Sequence, residues 1–358
     1  MSRVPTIILV VFGTLFFGPI NSASGADLNA VARYLAGLPS DGQGQIKADR
    51  LWLAHSQALD KDWKRLEKHQ LAPMREFARS HLGSNASPVF YFFSGPDLIY
   101  PIVMFPDAET YVLVGLELPA SMPVLAVENE QSRQVELARL RRSLQSLFGH
   151  GLFITSEMRW DKGRFSGVTS VICVTAARLG FRILGIDPIW LADDGAMHKG
   201  TAPESASSVQ GVLVHLQSPS KATKHVYYFS ADLQDGRRSG ATFLKFANTI
   251  GQGKSLLRHT SYAMHSGAFS DARGFILANC VEVVQDDSGI PLRALREAKW
   301  STRFFGRYAP PGGKFMRHYQ SDLEQASLEN GRPAPAFGFG YHWWARGSHI
   351  TLAVRSQH

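Results

Sequence analysis

Apolar residues along this chain fall first into one unbroken block, then into helical spacing, and only later into short strand-like runs. Ile7 to Phe17 is apolar except at Gly13 and Thr14, with Arg3 the only charge ahead of it. Gly18 and Pro19 break any helix, and small residues follow from Asn21 to Ala26. Ser24 and Ala26 satisfy the small-residue requirement for cleavage before Asp27; Ala23 and Gly25 do so one residue earlier. The block is about 11 residues long, whereas a membrane span needs about 20. Residues 1–26 are therefore expected to be a secretory signal peptide, which places the mature chain outside the cytosol, in the periplasm or secreted. No Cys lies near the cleavage site, and no later stretch is apolar enough to span a membrane.

Residues 27–87 read as an N-terminal helical segment. Asp27 caps a run with apolar positions at Leu28, Val31, Tyr34 and Leu35, closed by Gly37 and Pro39. A longer run carries Leu51, Leu53, Ala54, Trp63, Leu66, Leu71, Met74, Phe77 and Leu82, and Pro73 is expected to divide it into two helices.

From residue 88 to 358 the pattern changes. Val89–Phe93 and Tyr111–Leu118 are short apolar runs bounded by Gly, Pro and acidic residues, as expected of buried strands. Helices are expected over Glu128–Phe148, Gly167–Leu179, Gly240–Ile250 and Ser270–Asn279. Phe181–Leu191, Val209–Gln217 and His225–Phe229 read as an antiparallel meander, with turns at Asp193–Gly195 and Pro219–Thr223 and a loop over 203–208. Val281–Val284, Phe337–Trp344 and His349–Val354 read as further strands. The fold expected is mixed α/β: a central mixed, largely antiparallel sheet flanked by helices, with the N-terminal helical segment packed on it. Val89–Leu98 echoes Val226–Leu233, each an aromatic strand followed by Ser, Asp and Leu. This is either a degenerate duplication of a strand–helix–strand unit or the chance similarity of aromatic strands.

Charge and cysteine content narrow the function classes. The net charge is +8. Export, the lack of an arginine-rich tract and the lack of zinc-finger spacing argue against nucleic acid. The two remaining readings are attraction to an anionic envelope surface and scattered charge that serves solubility. Cys173 and Cys280 are permitted a disulfide by an oxidising compartment, but both sit in apolar stretches where a free Cys behaves as a small hydrophobe.

Most motifs fail. Gly251-Gln252-Gly253-Lys254-Ser255 resembles the end of a phosphate-binding loop, but Asn248 stands where its first Gly belongs and a helix precedes it. Gly-x-Ser-x-Gly, His-Glu-x-x-His and Cys-x-x-Cys-His are absent, and the thirteen histidines lack metal-ligand spacing. No cofactor is expected.

Three strand-end groups remain as candidate ligand-binding residues. Ser94 and Asp97 follow the first strand, where they either face a ligand or cap the next helix. Ser230 and Asp232 hold the corresponding place in the echo. Gln285, Asp286, Asp287 and Ser288 follow a later strand; the two carboxylates suit a hard cation, sugar hydroxyls or general-base work, or else a solvated turn. Neighbouring strand residues point to opposite faces, so one carboxylate at most enters a given site. Lys254, Tyr262 and His265 are the upstream groups that would converge on this loop.

Phe93–Asp97, Tyr227–Ser230 and Gln285–Pro291 resemble motifs of an uncharacterised family of exported bacterial proteins, through most of the mature chain. The resemblance implies a bacterial, extracytoplasmic setting and one continuous fold, and it assigns no functional residue. Two functions are thus open: a non-catalytic binding or envelope-associated protein, and a hydrolase of an envelope or extracellular substrate using Asp97, Asp232, Asp286 or Asp287.

Overall fold

The computed structural model describes residues 25–41, 49–122, 129–150, 165, 167–203, 208–341 and 348–356. The leader through residue 24, most of the 203–208 loop and positions 342–344 of the expected strand lie outside them.

Apolar periodicity builds the first helices. α1 (Gly25–Leu35) lies on the later strand β3 (Arg182–Leu191), where the Asn29 side chain accepts a hydrogen bond from Ile183 N at 3.0 Å. α2 (Arg50–Leu66) is capped by Asp49, which accepts from Trp52 N at 2.9 Å, and buries Trp52, His55, Leu59 and Leu66 along one face. Pro73 does not part α2 from α3 (Ala72–His81). A wide π-type turn over Glu67–Leu71 joins them, and Pro73 sits in the first turn of α3, where its missing N–H is not needed. Phe77 of α3 meets the rings of Phe305 and Phe337 at 4.9 and 5.6 Å.

The remaining strands are β1 (Val89–Tyr91), β2 (Thr110–Gly115), β4 (Met197–Lys199), β5 (Val209–Gln217), β6 (Thr223–Ser230), β7 (Gly253–Leu257), β8 (Cys280–Gln285), β9 (Trp300–Phe305), β10 (Gly331–Arg332) and β11 (Ile350–Arg355). The remaining helices are α4 (Ile99–Met104), α5 (Glu130–His150), α6 (Val168–Arg178), α7 (Arg238–Ile250), α8 (Ser270–Asn279), α9 (Leu292–Glu297) and α10 (Ser321–Asn330).

Among the described residues eleven strands form one mixed sheet in the order β10–β9–β11–β8–β7–β1–β2–β6–β5–β3–β4. The expected α/β fold is present, and its antiparallel meander β3–β5–β6 pairs from Arg182↔Gln217 and Gly211↔Phe229 onward. The antiparallel pairings lie in the two flanks. The centre, β8–β7–β1–β2–β6, is parallel throughout. Numbered by chain order, these five strands run 3-2-1-4-5 across the sheet, the order of a doubly wound nucleotide-binding sheet. The connection from β6 through α7 passes over β2 and β1 to reach β7, so the switch in winding direction falls between β1 and β7.

Helices cover both faces. α1 to α6 pack on one, with Tyr91, Tyr111, Leu113 and Tyr228 beneath them; α7, α8 and α9 pack on the other over Phe90, Val112, Val114 and Phe229. The two aromatic strands of the sequence echo, β1 and β6, lie in the sheet with β2 between them. Phe337 to Tyr341 is not a strand; Phe337 and Phe339 are instead buried core side chains. Cys173 and Cys280 are buried and unpaired, one in each core layer, so the sheet lies between them and the permitted disulfide does not form. No helix among the described residues is long and apolar enough to cross a membrane.

Candidate functional site

A doubly wound sheet opens a crevice where its winding reverses, because the two neighbouring connections leave on opposite faces. A cavity of about 560 Å³ occupies that position at the carboxyl ends of β1, β2, β6 and β7. Phe93 and Gly95 line it from β1, Gly115 to Glu117 from β2, Ala231 and Asp232 from β6, and His259 to Ser261 from β7. Phe269, Lys314 and Tyr341 complete the rim.

The backbone at this crevice is strained. Phe93 (φ 62°), His259 (φ 55°), Ser261 (φ 53°) and Tyr262 (φ 57°) are left-handed although none is glycine. Each such residue costs about 1–3 kcal/mol and persists only where its surroundings hold it. The β7 turn is held by the loop after β8. Asp286 Oδ2 accepts from His259 N at 3.0 Å, and Ser288 Oγ accepts from Thr260 N at 3.0 Å. Thr260 Oγ1 donates to Ser288 O at 2.5 Å, and Tyr262 Oη donates to Asp287 Oδ2 at 2.5 Å. Ser261 N donates to the Tyr341 hydroxyl at 3.0 Å.

Gln285, Asp286, Asp287 and Ser288 are therefore fully engaged and buried, not a solvated turn. The Gln285 side chain clips its own loop, accepting from Ile290 N at 2.9 Å and donating to Ile290 O at 2.7 Å. Burial raises the Asp286 carboxyl against the hydrogen bonds from His259 N and Ser288. Burial, and then the charge of Asp286, raise Asp287. The two neighbouring carboxylates lie past the end of β8, in a turn, and take different partners, one the β7 backbone and one Tyr262. His265 also converges, with Nε2 3.2 Å from Asp287 O. Burial and His318 hold its imidazole down at about 4. Lys254 does not converge. It lies at the amino end of β7, donating to Gly83 O and 3.5 Å from Glu282. The glycine-lysine look-alike thus joins helix to strand, the reverse of a phosphate-binding loop.

Asp97 and Ser94 also turn inward. Asp97 accepts from Tyr91 Oη at 3.0 Å, from Arg258 Nη1 at 3.2 Å and, more weakly, from Tyr100 N at 3.5 Å. Ser94 Oγ donates to Gly95 O at 2.9 Å. The Arg258 guanidinium is 1% exposed and lies 3.4 Å from the centre of the Tyr100 ring. Burial works against its charge, and Tyr100, Tyr91 and Asp97 more than restore it. Burial pushes the Asp97 carboxyl up to about 6 despite the pull of Arg258. Arg258 follows β7 and Asp97 follows β1, so this pair stitches the ends of the two strands together.

On the β6 side the outcome differs. Asp232 lines the cavity and is half-exposed, with Arg237 Nε 3.4 Å from Oδ2 and Gln234 N donating to Oδ1 at 3.1 Å. Ser230 Oγ donates to Leu116 O at 3.2 Å, tying β6 to the end of β2.

Glu117 falls inside the expected strand Tyr111–Leu118 and is not among the candidate residues, yet its carboxylate sits over the crevice floor. Tyr228 Oη donates to Glu117 O at 2.8 Å and reaches its Oε2 at 3.4 Å. Beneath the carboxylate two glycines face each other. Gly95 is left-handed (φ 55°), and a Cβ on Gly115 would fall 2.8 Å from Glu117 Oε2, 2.9 Å from Gly95 Cα and 2.9 Å from Tyr228 Oη. Bare backbone is thus required at this point. A Glu about 20 residues after a βα turn is a sequence signal for ribose hydroxyls, but it usually accompanies a glycine fingerprint that this chain lacks.

Among the described residues no group of three His, Cys, Asp or Glu side chains is placed to hold a metal ion. No protein-family model matches the chain, and comparison with curated proteins finds no match.

Proposed function

We propose that this chain is an extracytoplasmic binding protein whose switch-point crevice takes a small ligand bearing vicinal hydroxyls, of which a ribonucleoside fits best. The observation that carries this is the open cavity at the carboxyl ends of four parallel strands, with Glu117 over a floor of two glycines. An ionised carboxylate accepts from two adjacent hydroxyls, and Phe93, Phe269 and Tyr341 offer ring surface to a flat base.

The turn after β1 argues against a dinucleotide. Pro96 removes one backbone N–H, and α4 has only six residues, so no helix N-terminus is built to receive a pyrophosphate. The leader pattern of residues 1–26 supports the location, and the charge of +8 would favour the vicinity of an anionic envelope surface. A hydrolase built on the four strand-end aspartates draws less support, since Asp97, Asp286 and Asp287 are buried and, of the four, Asp232 alone lines the cavity.

Calorimetric titration with adenosine and 2′-deoxyadenosine tests the reading. Adenosine is expected to bind, with at least a tenfold loss for the deoxy compound and for Glu117→Gln, on the scale of one charged hydrogen bond. Equal binding of both nucleosides by wild type and Glu117→Gln, or no binding of either, would overturn it.

A further inference from the structure

A second polar cluster lies at the opposite end of the same sheet. Strand register sets His215 of β5 directly across from His225 of β6, with Asp187 of β3 diagonal to His215 and Lys199 of β4 beyond it. His225 stands five residues before Ser230, about 17 Å along the strand from the crevice. The helical cover reaches Tyr227, whose ring is 5.7 Å from that of Phe246 on α7. Past that point the sheet face is open, and both histidines are half-buried.

The protonation of this row follows from its partners. Asp187 lies 2.7 Å from Lys199 Nζ and 3.0 Å from His215 Nε2. Lying between the Lys199 ammonium and the imidazole, the Asp187 carboxylate accepts from both and takes the Nε2–H of His215. A neutral His215 that gives its Nε2–H to Asp187 has a bare lone pair on Nδ1. This Nδ1 faces His225 Nδ1 at 3.0 Å, with the two rings nearly perpendicular.

Two imidazole nitrogens held side by side on a tetragonal Cu²⁺ or Ni²⁺ ion, each about 2.0–2.1 Å from it and roughly at right angles, stand about 2.8–3.0 Å apart. We propose that His215 and His225 form a two-imidazole site for a divalent transition ion of the Cu²⁺ or Ni²⁺ class, with Asp187 as the positioning residue. The carboxylate orients His215 and raises its basicity, as outer-shell partners do for metal-binding histidines. The open face leaves the other coordination positions to water. Two neutral nitrogens without a thiolate or an inner carboxylate suit imidazole-preferring ions better than Mg²⁺ or Ca²⁺.

The alternative is a plain hydrogen bond, with His225 carrying a proton on Nδ1. Titration of the full chain with Cu²⁺, the tightest-binding probe of the series, followed by electron paramagnetic resonance, separates the two. The site predicts one leading Cu²⁺ per chain with hyperfine coupling from two imidazole nitrogens. His215→Gln and His225→Gln should each abolish that two-nitrogen signal. Asp187→Asn should keep it while weakening binding about 10- to 100-fold. Circular dichroism melts serve as the folding control, and if a variant does not fold, the wild-type spectrum decides. A wild-type spectrum without two-imidazole coupling, or one unchanged in the His215→Gln/His225→Gln double variant, would overturn the site and leave the pair hydrogen-bonded only.

Discussion

Replacing Arg258 with Met tests whether the switch point is held together by a buried ion pair. Met roughly fills the stem of Arg258 but removes the cation from Asp97, which is 4% exposed and has Tyr91 Oη and the α4 backbone as its other partners. Removing one partner of a buried pair costs about 3–5 kcal/mol, because the remaining charge is left unpaired in a poorly polarisable site. Loss of the guanidinium from the Tyr100 face belongs to the same total.

The cost must depend on pH. Asp97 already titrates at about 6 in the folded chain, above the ~3.9 of an unfolded Asp. The folded state therefore binds more protons between those values. The contribution of Asp97 to stability is complete below about 4 and is lost as pH rises through about 6. In Arg258→Met the attraction that lowers Asp97 is gone, so the folded pKa climbs further and the window widens upward. Asp286, which Arg258 also pulls down, shifts the same way. At pH 5 the variant can protonate Asp97 and loses mainly packing. At pH 8 it must hold an unpaired carboxylate or unfold. Urea unfolding of wild type and variant at both pH values gives the difference directly. The expected loss is about 3–5 kcal/mol at pH 8 and clearly less at pH 5, with Asp97→Asn in the variant background removing most of the pH dependence. A loss under about 1 kcal/mol at pH 8, or an equal loss at both pH values, would refute the reasoning.

Two further outcomes are expected. Gly115→Ala places a methyl against Glu117, Gly95 and Tyr228; it should lower stability by about 1–3 kcal/mol and abolish adenosine binding, measured by thermal melts and calorimetry. Cys173 and Cys280 should resist a thiol reagent in the folded chain, since burial pushes Cys173 up to about 12 and Cys280 higher still. Both should react after denaturation without reductant, and reductant should leave the melting temperature unchanged.

The parts of the fold legible in the sequence are those written locally. The meander β3–β5–β6 follows from alternation and from turns at Asp193–Gly195 and Pro219–Thr223, and α8 matches its expected span at both ends. The parallel centre is less legible because its strands carry polar residues that only long-range partners satisfy. β7 contains Lys254 and Ser255, both buried: Lys254 finds Glu282 and Gly83 O, and Ser255 Oγ donates to Phe90 O at 3.1 Å. β9 escapes for the same reason, with Ser301, Thr302 and Arg303 at its middle; Arg303 donates to His81 O across 222 residues of chain. At the site, strand-end position marked Ser94, Asp97, Ser230, Asp232 and the loop from Gln285 to Ser288. Position alone does not say which way a loop turns. Asp97 and Asp286 turn inward to Arg258 and the His259 backbone, and Glu117 is left at the crevice. The facing of His215 and His225 depends on strand register, to which single residues carry no clue.

The most direct test of the central claim is a crystal structure of the wild-type chain soaked with adenosine. Ribose hydroxyls within hydrogen-bond range of Glu117, with the base against the rings of Phe93, Phe269 or Tyr341, is the result expected. Adenosine absent from the crevice at saturating concentration, or seated elsewhere on the molecule, would contradict it.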